Sequence, residues 1–152
     1  MKNSITKLIL IFFFLINLIN VSNAEEQFKL KVTVIDITDN GNLITGSKGG
    51  TAITDDGIEI SAENFIYDKL TNILKASSNV KLHNTKDNSK IFSDKVTYLK
   101  NEEIIFTEGE TSALLENKYE FTSKDVQYSR TNQELKSDKH SLIKDDNGNI
   151  YE

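Results

Sequence analysis

Apolar side chains recur along this chain in a phrase of about thirty residues, marked by Tyr67, Tyr98 and Tyr128, which stand 31 and 30 positions apart. Seven residues before each tyrosine comes Ile60, Ile91 or Phe121. Five before comes a small residue, Ala62, Ser93 or Ser123, and two before comes Phe65, Val96 or Val126. Leu74, Ile105 and Leu135 follow seven positions after, and Ala76, Thr107 and Ser137 nine after. A weaker copy lies upstream in Leu30, Val32, Ile35 and Ile37. Self-similarity at such a period marks a repeat architecture in which each unit buries its apolar face against the next, here about four units.

Each unit reads as two strands. Polar clusters such as "TDNGN" at 38–42, "TDDG" at 54–57, "NTKDNSK" at 84–90 and "KDDNGN" at 144–149 punctuate the chain. The intervening stretches are rich in Val, Ile, Thr, Phe and Tyr. Leu74, Ala76, Ser78, Val80 and Leu82 alternate with Lys75, Ser77, Asn79, Lys81 and His83, the period of a strand with one buried face. Turns this short join antiparallel neighbours and exclude parallel crossovers. In the first strand of each unit the alternation breaks, because its apolar positions, counted from tyrosine, fall at −7, −5, −2 and 0. One extra residue between −5 and −2 restores a common face, which is what a β-bulge does. A bulge at the same place in every unit predicts an all-β antiparallel sheet creased along one line into a V or narrow trough, a jellyroll built from these repeats.

The inner face of such a trough is apolar but not bulky, since Ala62, Ala76, Ser93, Thr107, Gly109 and Ser123 interrupt it. Interiors are normally filled by large side chains, so the small ones mean either close sheet-on-sheet packing or room for an elongated apolar guest such as an acyl chain. The expected lining is Ile60, Ala62, Phe65, Tyr67, Leu74, Ala76, Val80, Leu82, Ile91, Val96, Tyr98, Ile105, Phe121, Val126 and Tyr128, with Lys75, Lys81 and Lys95 facing outward. The chain has no proline to blunt an edge strand. The first strand, Phe28 to Ile37, is therefore expected to pair with a partner through Val32, Val34 and Ile35.

Composition narrows the setting. Lys2 and Lys7, the apolar run from Leu8 to Ile19 broken by Asn17, and Ser22-Asn23-Ala24 have the form of an export signal cleaved after Ala24. The run is short of the ~20 residues needed to span a bilayer. Residues 25–152 are then the exported domain, expected to be soluble, and loss of two lysines takes the net charge from −5 to −7. That balance argues against nucleic acid, and the absence of cysteine argues against disulfide stapling. His83 and His140 stand apart on outward positions without companion ligands, so no metal or other cofactor is expected. "DDG" at 55–57 and "DDNG" at 145–148 lack calcium-loop spacing and read as turns. "GSKGG" at 46–50 has no following helix to aim at phosphate. Nothing here assembles a catalytic constellation, and the chain is not expected to be an enzyme.

The stretches "IEISAENFIYDKLTNILKASSNVKL" and "IFSDKVTYLKNEEIIFTEGETSALL" resemble the OstA-type repeat, in which a strand of form I-x-A-D-x-F-x-Y leads through a polar turn to x-A-x-G-N-V-x-I. The resemblance spans roughly residues 28 to 152. That family comprises periplasmic lipopolysaccharide-transport proteins: the bridge component LptA and the N-terminal domain of the outer-membrane translocon LptD. It implies a β-jellyroll that holds lipid A acyl chains in its groove and joins other transport proteins edge strand to edge strand, in the periplasm beside the outer membrane. Residues 39–69, close behind the leader, look more like the start of an LptD, whose repeats lead on to a large β-barrel; a stand-alone bridge is the alternative. Many LptD proteins link this domain to the barrel by disulfides, which this cysteine-free segment cannot do. Outside the family, the competing expectation is a structural or adhesive exported β-repeat protein with no lipid cargo.

Overall fold

The computed structural model describes residues 27–152; the export signal expected over residues 1–24 lies outside the described residues. The described chain is antiparallel sheet, with one 3-10 turn at Asp39–Gly41. Its strands are β1 (Lys29–Thr38), β2 (Leu43–Ile53), β3 (Ile58–Ala62), β4 (Asn64–Asp68), β5 (Ile73–Asn84), β6 (Lys90–Leu99), β7 (Ile104–Glu108), β8 (Glu110–Leu115), β9 (Tyr119–Lys124), β10 (Gln127–Ser129), β11 (Glu134–Lys136), β12 (Leu142–Lys144) and β13 (Ile150–Tyr151). All thirteen belong to one sheet.

That sheet is folded into two layers. The first layer runs from the start of β1 through the end of β2, β3, the end of β5, the start of β6, and on to β8, β9, β12 and β13. The second runs from the end of β1 through the start of β2, β4, the start of β5, the end of β6, and on to β7, β10 and β11. The long strands β1, β2, β5 and β6 pass through both. The fold line crosses Thr33, Lys48–Gly49, Glu63, Ser78–Asn79, Asp94, Gly109 and Asp125. At Glu63, Asp94 and Asp125 it falls where the parity of the first strands breaks.

Several residues on this line adopt left-handed backbone: Lys48 (φ 62), Ser78 (φ 68), Asn79 (φ 55), Gly109 (φ 88) and Asp125 (φ 50). Gly109 is favoured there by its φ, and an added Cβ would push the Asp94 carboxylate, 2.8 Å away, aside. At Gly50 a Cβ would meet the Lys31 carbonyl oxygen at 2.3 Å, so glycine lets β1 close onto β2. One expectation is corrected here. Ser78, placed by alternation on the inner face, is exposed. β5 turns the corner on two left-handed residues, Ser78 and Asn79, and inserting two residues leaves the parity unchanged.

Backbone groups that lose their ladder partners at the fold line are satisfied locally. Gly49 N–H donates to Glu63 O (2.9 Å), Glu63 N–H to Ser78 O (3.1 Å) and Asp125 N–H to Gly109 O (3.2 Å). Buried hydroxyls complete the line. Thr107 Oγ1 accepts the Val126 N–H at 2.8 Å and a hydrogen bond from Thr111 Oγ1 at 2.7 Å, and Ser93 Oγ donates to Glu108 O at 3.1 Å. Among the described residues no buried side-chain nitrogen or oxygen lacks a partner. The small inner residues thus have a structural role: they sit beside the fold line, where the two layers come closest. Larger side chains, including Ile60, Leu82, Ile91, Tyr67, Tyr98 and Ile105, fill the space as the layers diverge. The interior is a wedge.

Thr107→Val removes the acceptor for a buried N–H while preserving volume, and should lower unfolding free energy by about 1–3 kcal/mol. Urea denaturation measures this, with Thr107→Ser, which keeps the hydroxyl, expected to stay near the parent value.

Candidate functional site

The inner face can be read off the pairing, because residues directly opposite across a ladder share a face. One row of the second layer is Ile37, Ile44, Tyr67, Leu74, Tyr98, Ile105, Tyr128 and Leu135. A row of the first layer is Leu30, Ala52, Ile60, Leu82, Ile91, Ala113 and Phe121, reaching Ile143 and Tyr151. All fifteen residues expected to line the trough lie on this inner face, none more than 8 % exposed. Lys75, Lys81 and Lys95 are exposed on the outer face, and so is His140, while His83 beside Asn88 is half-buried. Among the described residues no cluster of His, Cys, Asp or Glu could hold a metal.

The trough is shut on itself, and its mouth, opposite the fold line, is where turns of the two layers meet. Phe28 reaches across from the start of β1 and is fully buried, edge-on to Tyr67 (centroids 5.1 Å) and Tyr98 (5.5 Å). The marker tyrosines keep their rings inside while their hydroxyls reach the turns, the usual amphipathic use of tyrosine. Tyr67 Oη donates to Asn72 Oδ1 at 3.2 Å and Tyr98 Oη to Glu103 Oε2 at 2.7 Å.

Around Tyr98 an ionic latch ties the layers together. Asp56, in the turn between β2 and β3, accepts from Lys100 Nζ at 3.0 Å and Arg130 Nη1 at 2.7 Å. Both cations also bind Glu103, and Arg130 donates to Tyr98 Oη. The side chains of Lys100 and Arg130 are only 11 % and 12 % exposed. Burial opposes ionisation of Asp56, but hydrogen bonds from Thr54, Arg130 and Lys100 outweigh it and hold the carboxyl far below its ordinary range. Burial, reinforced by the Glu103 carboxylate, pushes the Tyr98 hydroxyl far up, so it stays protonated. A cleft of about 180 Å³ opens over Tyr128, lined by Asp87, Ser89, Leu115, Glu116, Tyr119 and Gln133.

Among the described residues neither end of the wedge is covered by a further strand, and β1 pairs with β2 alone. Ile35 and Ile37, opposite the inward Gly46 and Ile44, are 52 % and 56 % exposed. Of the expected partner contacts, Val32 packs half-buried against the core, while Val34 and Ile35 are exposed. At the far end the inward Ile143 and Tyr151 are exposed as well.

The latch residues and Phe28 were not anticipated as part of the site. Asp56, Lys100, Glu103 and Arg130 lie in turns, where charges normally read as solvated. Their only sequence signal is opposite charge at turns of different repeats.

No protein-family model and no curated protein sequence matches this chain. Solved structures do. The chain is similar to LptH from Pseudomonas aeruginosa, described as the LptA-homologous periplasmic component of a conserved lipopolysaccharide transport device. The superposition has a TM-score of 0.65 at 11 % identity, covering 76 % of this chain and 85 % of that one. At that identity the likeness shows a common fold, the antiparallel β-jellyroll.

Asp56→Asn should lower stability at neutral pH by about 2 kcal/mol, because it weakens charge-assisted bonds to two nearly buried cations. The Asp56 carboxyl is depressed in the folded state, so its stabilisation is complete above its unfolded-state value of about 4 and is lost as pH falls toward the folded one. Thermal melts of parent and variant should therefore differ most above pH 5 and draw together progressively below about pH 4.

Proposed function

We propose that this chain is a periplasmic component of lipopolysaccharide transport, a bridge that takes lipid acyl chains between its two layers and passes them along an axis continued by neighbours at either end. The observation that carries this reading is the continuous inner apolar face, exposed among the described residues at Ile35 and Ile37 and at Ile143 and Tyr151. Among the described residues inward apolar side chains are exposed on both outermost strands, and β1, roughly 33 Å long, pairs on one side only. Such an edge suits strand addition by another transport protein. The shared fold with an LptA homologue supports the stand-alone bridge over the N-terminal domain of a translocon, the reading residues 39–69 favour; attachment to an outer-membrane barrel goes with the latter. The packed interior favours one other reading, an exported structural or adhesive β-repeat whose wedge is only a core.

A photo-crosslinking residue at Phe65, Val96 or Ile105 should capture lipopolysaccharide, and one at Lys75, Lys81 or Lys95 should not. Equal capture from both sets, or none from either, favours the structural protein. For the edge, Ile35→Glu with Ile37→Glu should weaken association with a copy or a transport partner more than tenfold, since each isoleucine would contribute about 1.5–3 kcal/mol on burial. Sedimentation checks this, and both positions are exposed enough for the monomer to stay folded.

A further inference from the structure

The wedge can receive acyl chains only if its mouth parts, and the interlayer ion contacts among the described residues are those of Asp56 with Lys100 and Arg130. An amphiphile held with its chains between the layers leaves its polar group at the mouth. Lys100 and Arg130 are nearly buried there, and each is held by carboxylates on Asp56 and Glu103. If the layers part, Asp56 leaves with its turn, while Glu103, on the same side as both cations, remains. Two cations then face one carboxylate, which leaves a net positive charge at the mouth for an anion to neutralise. A phosphate restores the balance, since its oxygens suit the guanidinium fork and the ammonium together. Tyr128, which lines the cleft, precedes Arg130 by two residues on the chain.

We propose that Lys100 and Arg130 are the seat for the phosphorylated head group of an acylated lipid, and that Asp56 occupies this seat and holds the mouth closed until a phosphate displaces it. This rests on the lipid-carrying reading above. It also answers how an acidic exported chain holds an anionic cargo: the cations it needs are kept at the mouth in neutralised form.

The test compares binding of diphosphoryl lipid A and the same lipid stripped of phosphate, both in neutral detergent micelles, to the exported chain. The parent should prefer the phosphorylated lipid by about tenfold. Lys100→Gln and Arg130→Gln should each remove most of that preference, while affinity for the stripped lipid rises because the mouth loses one of its closing contacts. Asp56→Asn should keep the preference and raise affinity for both lipids by making the mouth easier to open. Should Arg130→Gln fail to fold, Lys100→Gln decides, with Lys100→Arg expected to restore the preference. A parent that takes both lipids equally, or a preference that survives loss of either cation, overturns the seat while capture at Phe65 still supports acyl carriage. No binding of either lipid overturns both. Inorganic phosphate should not stabilise the chain measurably at millimolar concentration; if it raises the melting temperature as much as the lipid does, the seat belongs to free phosphate and the lipid assignment falls.

Discussion

The structure depends on a bend that each strand makes at the same distance along its length. An antiparallel sheet with one apolar face must bury that face, and this chain has no helix or second domain among its described residues to bury it against. It folds the sheet onto itself instead. The cost is local: at the bend, ladder hydrogen bonds cannot continue, and an unpaired buried amide loses about 1–3 kcal/mol. Substitute backbone bonds from Gly49, Glu63 and Asp125 and the hydroxyls of Ser93, Thr107 and Thr111 meet that cost. Everything else follows from the bend: two layers, the wedge between them, small residues at its apex and tyrosines near its mouth.

Much of this was legible in the amino-acid sequence because strand parity is an unforgiving signal. A single inserted residue flips every later side chain to the other face, so the irregular spacing from Ala62 to Phe65, Ser93 to Val96 and Ser123 to Val126 betrayed the bend. The same bend in β5 was invisible, because Ser78 and Asn79 insert together and the alternation resumes undisturbed. The inner face was legible by the same logic. What it does with its space was not, since small residues mean room or contact depending on the distance between layers, which no local pattern encodes. The latch was hidden for a related reason: Asp56 meets partners 44 and 74 positions away, through turns whose charges look like ordinary surface.

The relation between interior and mouth organises the candidate function. The apolar face is closed at its mouth around Tyr98 by Phe28 and the ion pairs, while among the described residues inward Ile35, Ile37, Ile143 and Tyr151 are exposed. Opposed charges at the mouth are reversible closures in a way that packed leucines would not be, because an external ion can substitute for either partner. Among the described residues β1 pairs on one side only and Ile35, Ile37 and Ile143 are exposed, which is what the proposed continuation by another sheet would use.

The direction of the hydrogen bonds has a mechanical consequence. Strands run across the bend, so the ladders that join them run parallel to it, stacking strand upon strand along the axis of the wedge. Spreading the two layers flexes the strands at the bend and breaks none of the ladders within either layer. Pulling the ends of the axis apart would load those ladders directly. The molecule is therefore compliant in cross-section and stiff in length, like a hinged book whose spine resists stretching while its covers swing.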